Sequence, residues 1–354
     1  MCDGGKPVLK LTLLRDRLAE HSSAVEWLRL LAATIVVLFH CFALNRMWAS
    51  DPLRVLLPGL ELGSLGVQIF FFLSGLLVAQ SYARHRSLVK FAAARILRLY
   101  PALIAATLFT IALSAWSSAL DVRTFLASAD TLTFAARRAL GLVAIDALPG
   151  AFLHNPYPVA VNGSLWTLPI EIKMYVVVAI AGLLGLLTRK WLLTAVTIGL
   201  IALFIVWPST FPISPDFSAT RALALMFALG SLCFVWRAHI PVSLPLGIAC
   251  VALLVVSQYS RTQPALSAVL ISYSVLTAAY HPLTQNLLPR LGADLSYGIY
   301  VYSFPIQQTL IERASDLFID KPWALFPAAL VIIAPIAALS WFLLEKPALK
   351  LKVR

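Results

Sequence analysis

Charge is what this chain has least of. Only 12% of its 354 residues are Asp, Glu, Lys or Arg, against 60% that are hydrophobic. A water-soluble domain carries about 25% charged and about 45–50% apolar residues. With so little polar surface the chain cannot face water on all sides, so lipid must be its solvent, in keeping with a mean hydropathy of +0.86. Acidic residues are scarcest, 16 against 28 Lys and Arg, for a net charge of +12. That excess does not imply a nucleic-acid partner. The basic residues sit in short clusters between apolar runs, as juxtamembrane anchors do, and no RNP, zinc-finger or basic-helix pattern appears. Cysteine is sparse too: Cys2, Cys41, Cys233 and Cys250 form no C-x-x-C pair and no metal-type spacing, which argues against a disulfide framework and a thiolate metal site. No cleavable signal peptide is expected either. Residues 1–24 are polar, and the apolar run after them is long enough to span and has no A-x-A site.

Long apolar runs are what the chain has in quantity. A helix needs about 20 apolar residues to cross a hydrocarbon core of about 30 Å. The runs predict about ten spans, near 25–44, 62–82, 96–118, 163–187, 191–207, 218–236, 241–258, 264–281, 292–311 and 323–344. The expected fold class is an all-α polytopic membrane protein, with residues 1–354 forming a single membrane domain. Lys and Arg in the connections set its orientation. With the N-terminus cytoplasmic, 17 of the 28 fall inside (Lys6 to Arg17, Arg84 to Arg98, Arg189 and Lys190, Arg237, Arg290, Lys346 to Arg354). Segments 1–24 and 345–354, and so both termini, are therefore expected in the cytoplasm. The 119–162 connection is expected outside, its Leu140, Leu142, Val143, Ile145 and Phe152 packing onto the outer mouth of the bundle.

Polar residues inside such spans are costly and tend to face sites or cavities. Arg29 and His40 share the first span. Eleven residues at ~100° each return to within ~20° of one face, with a rise of ~16 Å. Taken singly, Arg29 could snorkel to the interface and His40 bond a carbonyl; two such groups on one stripe point to a site. Arg95 and Arg98, three apart at the start of the third span, anchor the inner face and also offer paired guanidinium forks suited to phosphate. Glu171, in the fourth span, is expected ~13 Å below the outer boundary, at His40's depth. There it could orient or charge-balance the imidazole, or simply pair with Arg221 or Lys173. Asp294 to Gln308 carries a tyrosine ladder (Tyr297, Tyr300, Tyr302) with a break at Pro305, as in a kinked helix lining a polar cavity.

The order and spacing of these stretches resemble the membrane acyltransferase-3 family of bacterial O-acyltransferases. The matching segments are Glu26-Trp27-Leu28-Arg29 through His40, Gly66 to Gly75, Arg95-x-x-Arg98-x-x-Pro101, Ser164-Leu165-Trp166-Thr167-Leu168 through Glu171 and Tyr175, Ser296-Tyr297-Gly298-Ile299-Tyr300 through Phe304-Pro305, and Glu345-Lys346-Pro347. The resemblance implies a ten-helix bundle transferring an acyl group, often acetyl from acetyl-CoA, to a carbohydrate. It makes Arg29 and His40 the essential pair of the first helix, Arg95 and Arg98 the paired arginines, and Glu171 the membrane-embedded carboxylate. Two positions depart from the pattern: Ser303 stands where many relatives carry His, and Gln68 where Asp is frequent. With no hydrolase-like domain following the bundle, the membrane part is expected to complete the transfer.

On this reading acyl-CoA is the donor, held at its phosphates by Arg95, Arg98 and Arg29, and no cofactor or metal is bound. His40 acts as general base or acyl carrier, with Glu171 assisting. Asn162, Ser164, Trp166, Tyr297, Tyr300 and Ser303 are candidates for holding the acceptor or the oxyanion. The partners are acyl-CoA, membrane lipids and a carbohydrate, lipid-linked or free; the expected location is the bacterial inner membrane. The alternative is a transporter or flippase for a lipid-linked or small polar substrate. It would predict broken helices in corresponding halves, and the halves here do not correspond.

Overall fold

The computed structural model describes residues 12–85, 87–142, 147–158, 160–206, 218–257 and 263–351. Lys6, Lys10, Arg86, Lys352 and Arg354, counted above for orientation, lie outside them, as do Val143 and Ile145.

Among the described residues the fold is all-helical, without a named strand. Ten helices are 14 residues or longer: α1 Ser23–Leu44, α2 Leu62–His85, α3 Leu88–Ser117, α4 Leu168–Leu183, α5 Lys190–Val206, α6 Ser218–Val235, α7 Leu244–Ser257, α8 Gln263–Tyr280, α9 Ser296–Arg313 and α10 Pro322–Ser340. Each falls on one of the ten expected spans. Five segments are long and apolar enough to cross a membrane: Ser23–Leu44, Leu62–Arg84, Leu88–Ser117, Gly163–Leu183 and Pro322–Lys350.

Local chemistry sets the boundaries. Ser22 caps α1 by accepting from the Val25 amide at 3.1 Å. One carboxylate, Asp51, caps the short turn Pro52–Leu56 through the amides of Leu53 and Arg54, and its other oxygen accepts from Leu62 at the head of α2. Ser87 caps α3 eight residues ahead of the expected start, so Arg95 and Arg98 lie two to three turns inside the helix rather than at its mouth. α9 begins at Ser296, four residues later than expected, which leaves Asp294 just outside it. α10 passes through a π-helical turn, Trp341–Glu345, that turns Glu345 into the protein.

Small residues bring the backbones together, as in other membrane bundles. A Cβ on Gly75 of α2 would stand 2.1 Å from the Phe227 carbonyl oxygen, and one on Gly230 of α6 would stand 2.1 Å from that of Phe72. Gly63 and Gly66 of α2 press on Phe39 and on Val36 and Ala32, so α1 and α2 run antiparallel in contact. α9 lies at the centre, buried from Ser296 through Thr309.

The connection after α3 is more ordered than its sequence foretold. Helices Val122–Ala127 and Ala129–Ala139 close over an apolar cluster of Phe125, Phe134, Leu148, Phe152 and Val161. Phe152 packs as expected, whereas Leu140 and Leu142 are exposed, because Gly141 turns the chain with a φ of +68° just there. The connection then dips into the bundle. Asn155 donates to the Gln308 side chain at 2.7 Å, and Asn162, fully buried, donates to the Val301 carbonyl and to Thr110.

Candidate functional site

A cavity of about 110 Å³ opens where α1, α2, α3, α4 and α9 meet. Arg29, Ser74, Arg95, Arg98, Thr167, Glu171, Tyr175, Tyr297 and Tyr300 supply its polar lining. Five elements distant in sequence thus bring the three arginines and the glutamate of the sequence reading into one place.

The arginines are engaged unequally. Arg29 Nη1 lies 2.8 Å and Arg98 Nη2 2.7 Å from the same oxygen, Asp294 Oδ2. The other Asp294 oxygen accepts from Ser296 at 2.5 Å. Arg98 Nη1 also stands 3.6 Å from Glu345, which Ser340 holds by a 3.1 Å hydrogen bond. Arg95 has no carboxylate partner among the described residues. Its guanidinium lies over the Tyr175 ring at 5.6 Å, and its buried Nε has no hydrogen-bond partner.

Glu171 accepts from Ser74 at 3.3 Å and from the Tyr175 hydroxyl by a short hydrogen bond. It meets neither Arg221 nor Lys173, the partners its blander reading named. Nor is it at the depth of His40. Gly163 abuts Phe304, whose ring stands 5.1 Å from the His40 ring, so the residues expected at the outer boundary already lie at His40's level. A 3₁₀ turn, Gly163–Thr167, and the first turn of α4 then carry Glu171 about 12–14 Å further down. Ser74 agrees: it follows Gly66 by eight residues, about 12 Å along α2 toward the beginning of α1. Glu171 therefore belongs with Arg29, at the other end of the stripe from His40. The misplacement came from taking residue 162 as the membrane boundary when the chain has already re-entered the bundle.

His40 is buried between the Phe39 and Phe304 rings, and its Nδ1 has no hydrogen-bond partner. It is not among the residues lining the cavity. Gln307 holds α1 on either side of it, donating to the Val37 carbonyl and the Cys41 sulfur, each at 2.9 Å. Asn162 Oδ1, Ser164 Oγ and Gln307 Oε1, also buried, have no hydrogen-bond partner.

The remaining candidates divide between the two ends. Tyr297 donates to the Leu99 carbonyl at 3.0 Å and Tyr300 to that of Ser164 at 2.6 Å. With its own proton used there, Tyr300 accepts from Thr167, 2.8 Å away. Both tyrosines line the cavity. Trp166 is half-buried against the main core and is not among the residues lining the cavity. Ser303 is fully buried and donates to its own helix at the Tyr300 carbonyl, and Gln68 donates to Ser64. Sequence reasoning missed Asp294 and Glu345, although each opens a quoted motif. The signal was there: acidic residues are scarce, and two arginines at the edge of an apolar bundle need counter-charge.

No group of His, Cys, Asp and Glu among the described residues could hold a metal ion.

A helical bundle of this apolarity, with partly buried ion pairs among its helices, is a multi-pass membrane protein. The acyltransferase-domain family model matches residues 22–344. The chain belongs to this acyltransferase-3 family, and it is an enzyme of the acyltransferase class. A protein of Shigella phage Sf6 named O-acetyl transferase is 29% identical over 345 residues, covering 92% of this chain and 95% of its own length. Nodulation protein 10 of Rhizobium leguminosarum bv. viciae is 29% identical over 369 residues, covering 94% and 96%. No solved structure matches.

Proposed function

We propose that the protein is an O-acetyltransferase that moves an acetyl group from acetyl-CoA to a carbohydrate hydroxyl, as a ten-span bundle of the bacterial inner membrane with both termini in the cytoplasm. The observation that carries the reading is the convergence of Arg29, Arg95 and Arg98 on one cavity in a bundle of this family. Half-buried guanidinium groups at the end of a bundle are suited to gripping phosphates. The name of the phage relative supports acetyl as the group and oxygen as its acceptor.

The donor binds at the arginine end, its phosphates on Arg95 and the Arg29–Arg98 pair, with its thioester directed along α1 toward His40. The distance between Arg29 and His40, ~16 Å of helix, is of the order of a pantetheine arm. His40 takes the proton of the acceptor hydroxyl, whose oxygen attacks the thioester carbonyl. The C–S bond breaks, and the proton passes to the departing thiolate. A neutral imidazole nitrogen can accept that proton. Asn162 Oδ1 and Gln307 Oε1 lie at the same level as acceptors for a hydroxyl proton, and the Ser164 hydroxyl can donate to an oxyanion. Glu171 works at the donor end, where with Tyr175 and Ser74 it fixes the wall facing Arg95. The lipid-linked form of the carbohydrate suits a buried site of this kind.

Purified protein in sealed vesicles, given labelled acetyl-CoA on the face bearing the termini and glycan on the other, should transfer label to glycan. Transfer that occurs only with both substrates on the cytoplasmic face would overturn the through-membrane arrangement. Acetyl-CoA left intact with every glycan acceptor would overturn the enzymatic reading.

A further inference from the structure

The arginine pair of this site is already holding an anion, and that anion belongs to the chain. Arg29 and Arg98 share Asp294 Oδ2 at 2.8 and 2.7 Å, the geometry in which two guanidinium groups hold one phosphate oxygen. The segment bearing Asp294 is tied down nearby: Trp27 donates to the Pro289 carbonyl at 2.9 Å, and the Leu291 amide to Glu26 at 3.0 Å. The carboxylate is therefore delivered to the arginines by a fixed strap and does not arrive on a loose loop.

We infer that Asp294 is an internal competitor for the donor's phosphate: its Oδ2 takes the place on Arg29 and Arg98 that a phosphate oxygen of the donor must win. This rests on the donor reading above and names how that site is regulated. Two features make the exchange practicable. Asp294 has a second home, because its other oxygen is bonded to Ser296 and keeps that partner when Oδ2 leaves the arginines. Arg98 also has a second partner, Glu345, which keeps the guanidinium in place while its other nitrogen changes anions. Arg95, with no carboxylate partner among the described residues, is free to take the donor first. The consequence is a cavity that binds the donor less tightly than its three arginines would allow, and so releases spent CoA.

The sign of the effect separates this role from a purely structural one. Affinity is reduced by the fraction of protein in the binding-competent state, so a clamp closed in nine molecules of ten costs about tenfold. In detergent-solubilised or nanodisc-embedded full-length protein, Asp294→Asn should bind CoA about tenfold more tightly by calorimetry. KM for acetyl-CoA should fall, and kcat should fall with it as product lingers. Ser296→Ala should leave CoA binding within about twofold of wild type, because the Ser296 bond to Oδ1 is kept whether or not Oδ2 holds the arginines. A structural Asp294 would make both variants bind worse. If Asp294→Asn binds CoA no more tightly than wild type, the inference fails while the donor reading stands. Wild-type protein that binds no CoA overturns both. Should Asp294→Asn not survive purification, Asp294→Ser takes its place: it should bind CoA more tightly than wild type, and unchanged or weaker binding refutes the competitor role.

Discussion

α9 and α7 are both helices of the bundle, yet they obey opposite rules. α7 reads Leu-Pro-Leu-Gly-Ile-Ala-Cys-Val-Ala-Leu-Leu-Val-Val-Ser and leaves Ile248, Val251, Leu253 and Val256 exposed, burying mainly Gly247 and Ser257. α9 carries three tyrosines, two glutamines and three hydroxyl residues, and is buried along nearly its whole length. In water the buried helix would be the apolar one. In lipid the outer helix must be apolar because its neighbours are hydrocarbon, whereas the inner one can be polar because its neighbours are protein groups that answer its hydrogen bonds. Tyr297, Tyr300, Gln307 and Gln308 each find such a partner. The cavity with its three arginines lies between α9 and the faces turned toward it.

The comparison breaks or sharpens by substitution, and the largest effect should come where α1 meets α9. His40→Ala should reduce acetyl transfer by about 10²–10⁴, the contribution of a general base, with abundance in the membrane nearly unchanged. Transfer at the wild-type rate would remove His40 from the chemistry. Next is Gly298→Val on α9. A Cβ there already meets the Ala337 Cα at 2.9 Å, so the helix must shift away from α10. Thermal unfolding in detergent should show a loss of about 3 kcal/mol, and an unchanged midpoint would mean that α9 and α10 are not in backbone contact. Gln308→Leu comes third. It leaves the Tyr157 and Ala160 carbonyls without their partner, while Asn155 keeps only the Gln308 main-chain carbonyl as acceptor. The expected cost is about 2 kcal/mol, and protease cutting within 147–162 should quicken. The smallest effect belongs to α7: Val256→Ala, at a side chain 70% exposed, should stay within about 0.5 kcal/mol of wild type. A larger loss would show that this face meets protein rather than lipid.

How much of this was legible beforehand depended on range. Each of the ten helices lay where its apolar run or motif placed it, because a run of about 20 residues is a local signal. The arginines and Glu171 were legible as costly groups, and the structure brings them together. What could not be read was depth and pairing. Glu171 was misplaced by about one helix segment because Asn155 and Asn162 draw the chain into the bundle before α4 begins, and those bonds join residues more than fifty positions apart. Asp294 went unassigned because, although the expected span 292–311 included it, a carboxylate so near a span's end can reach water and calls for no partner. Only the fold reveals that both arginines reach it.

The polarity of α9 also bears on how the protein is made. A nascent segment leaves the translocon for the bilayer according to its own apolarity, and tyrosine, glutamine and arginine weigh against leaving. α9 follows eight helices that have been made before it, and is followed at once by α10, an apolar helix interrupted only by prolines. Its insertion is therefore a joint event: it waits for its tyrosines and glutamines to be received by α1, α3 and the 147–162 segment, and for α10 to carry the pair inward as a hairpin. A chain ending after α9 should stall at the translocon and meet quality-control proteases, although every catalytic candidate has by then been synthesised.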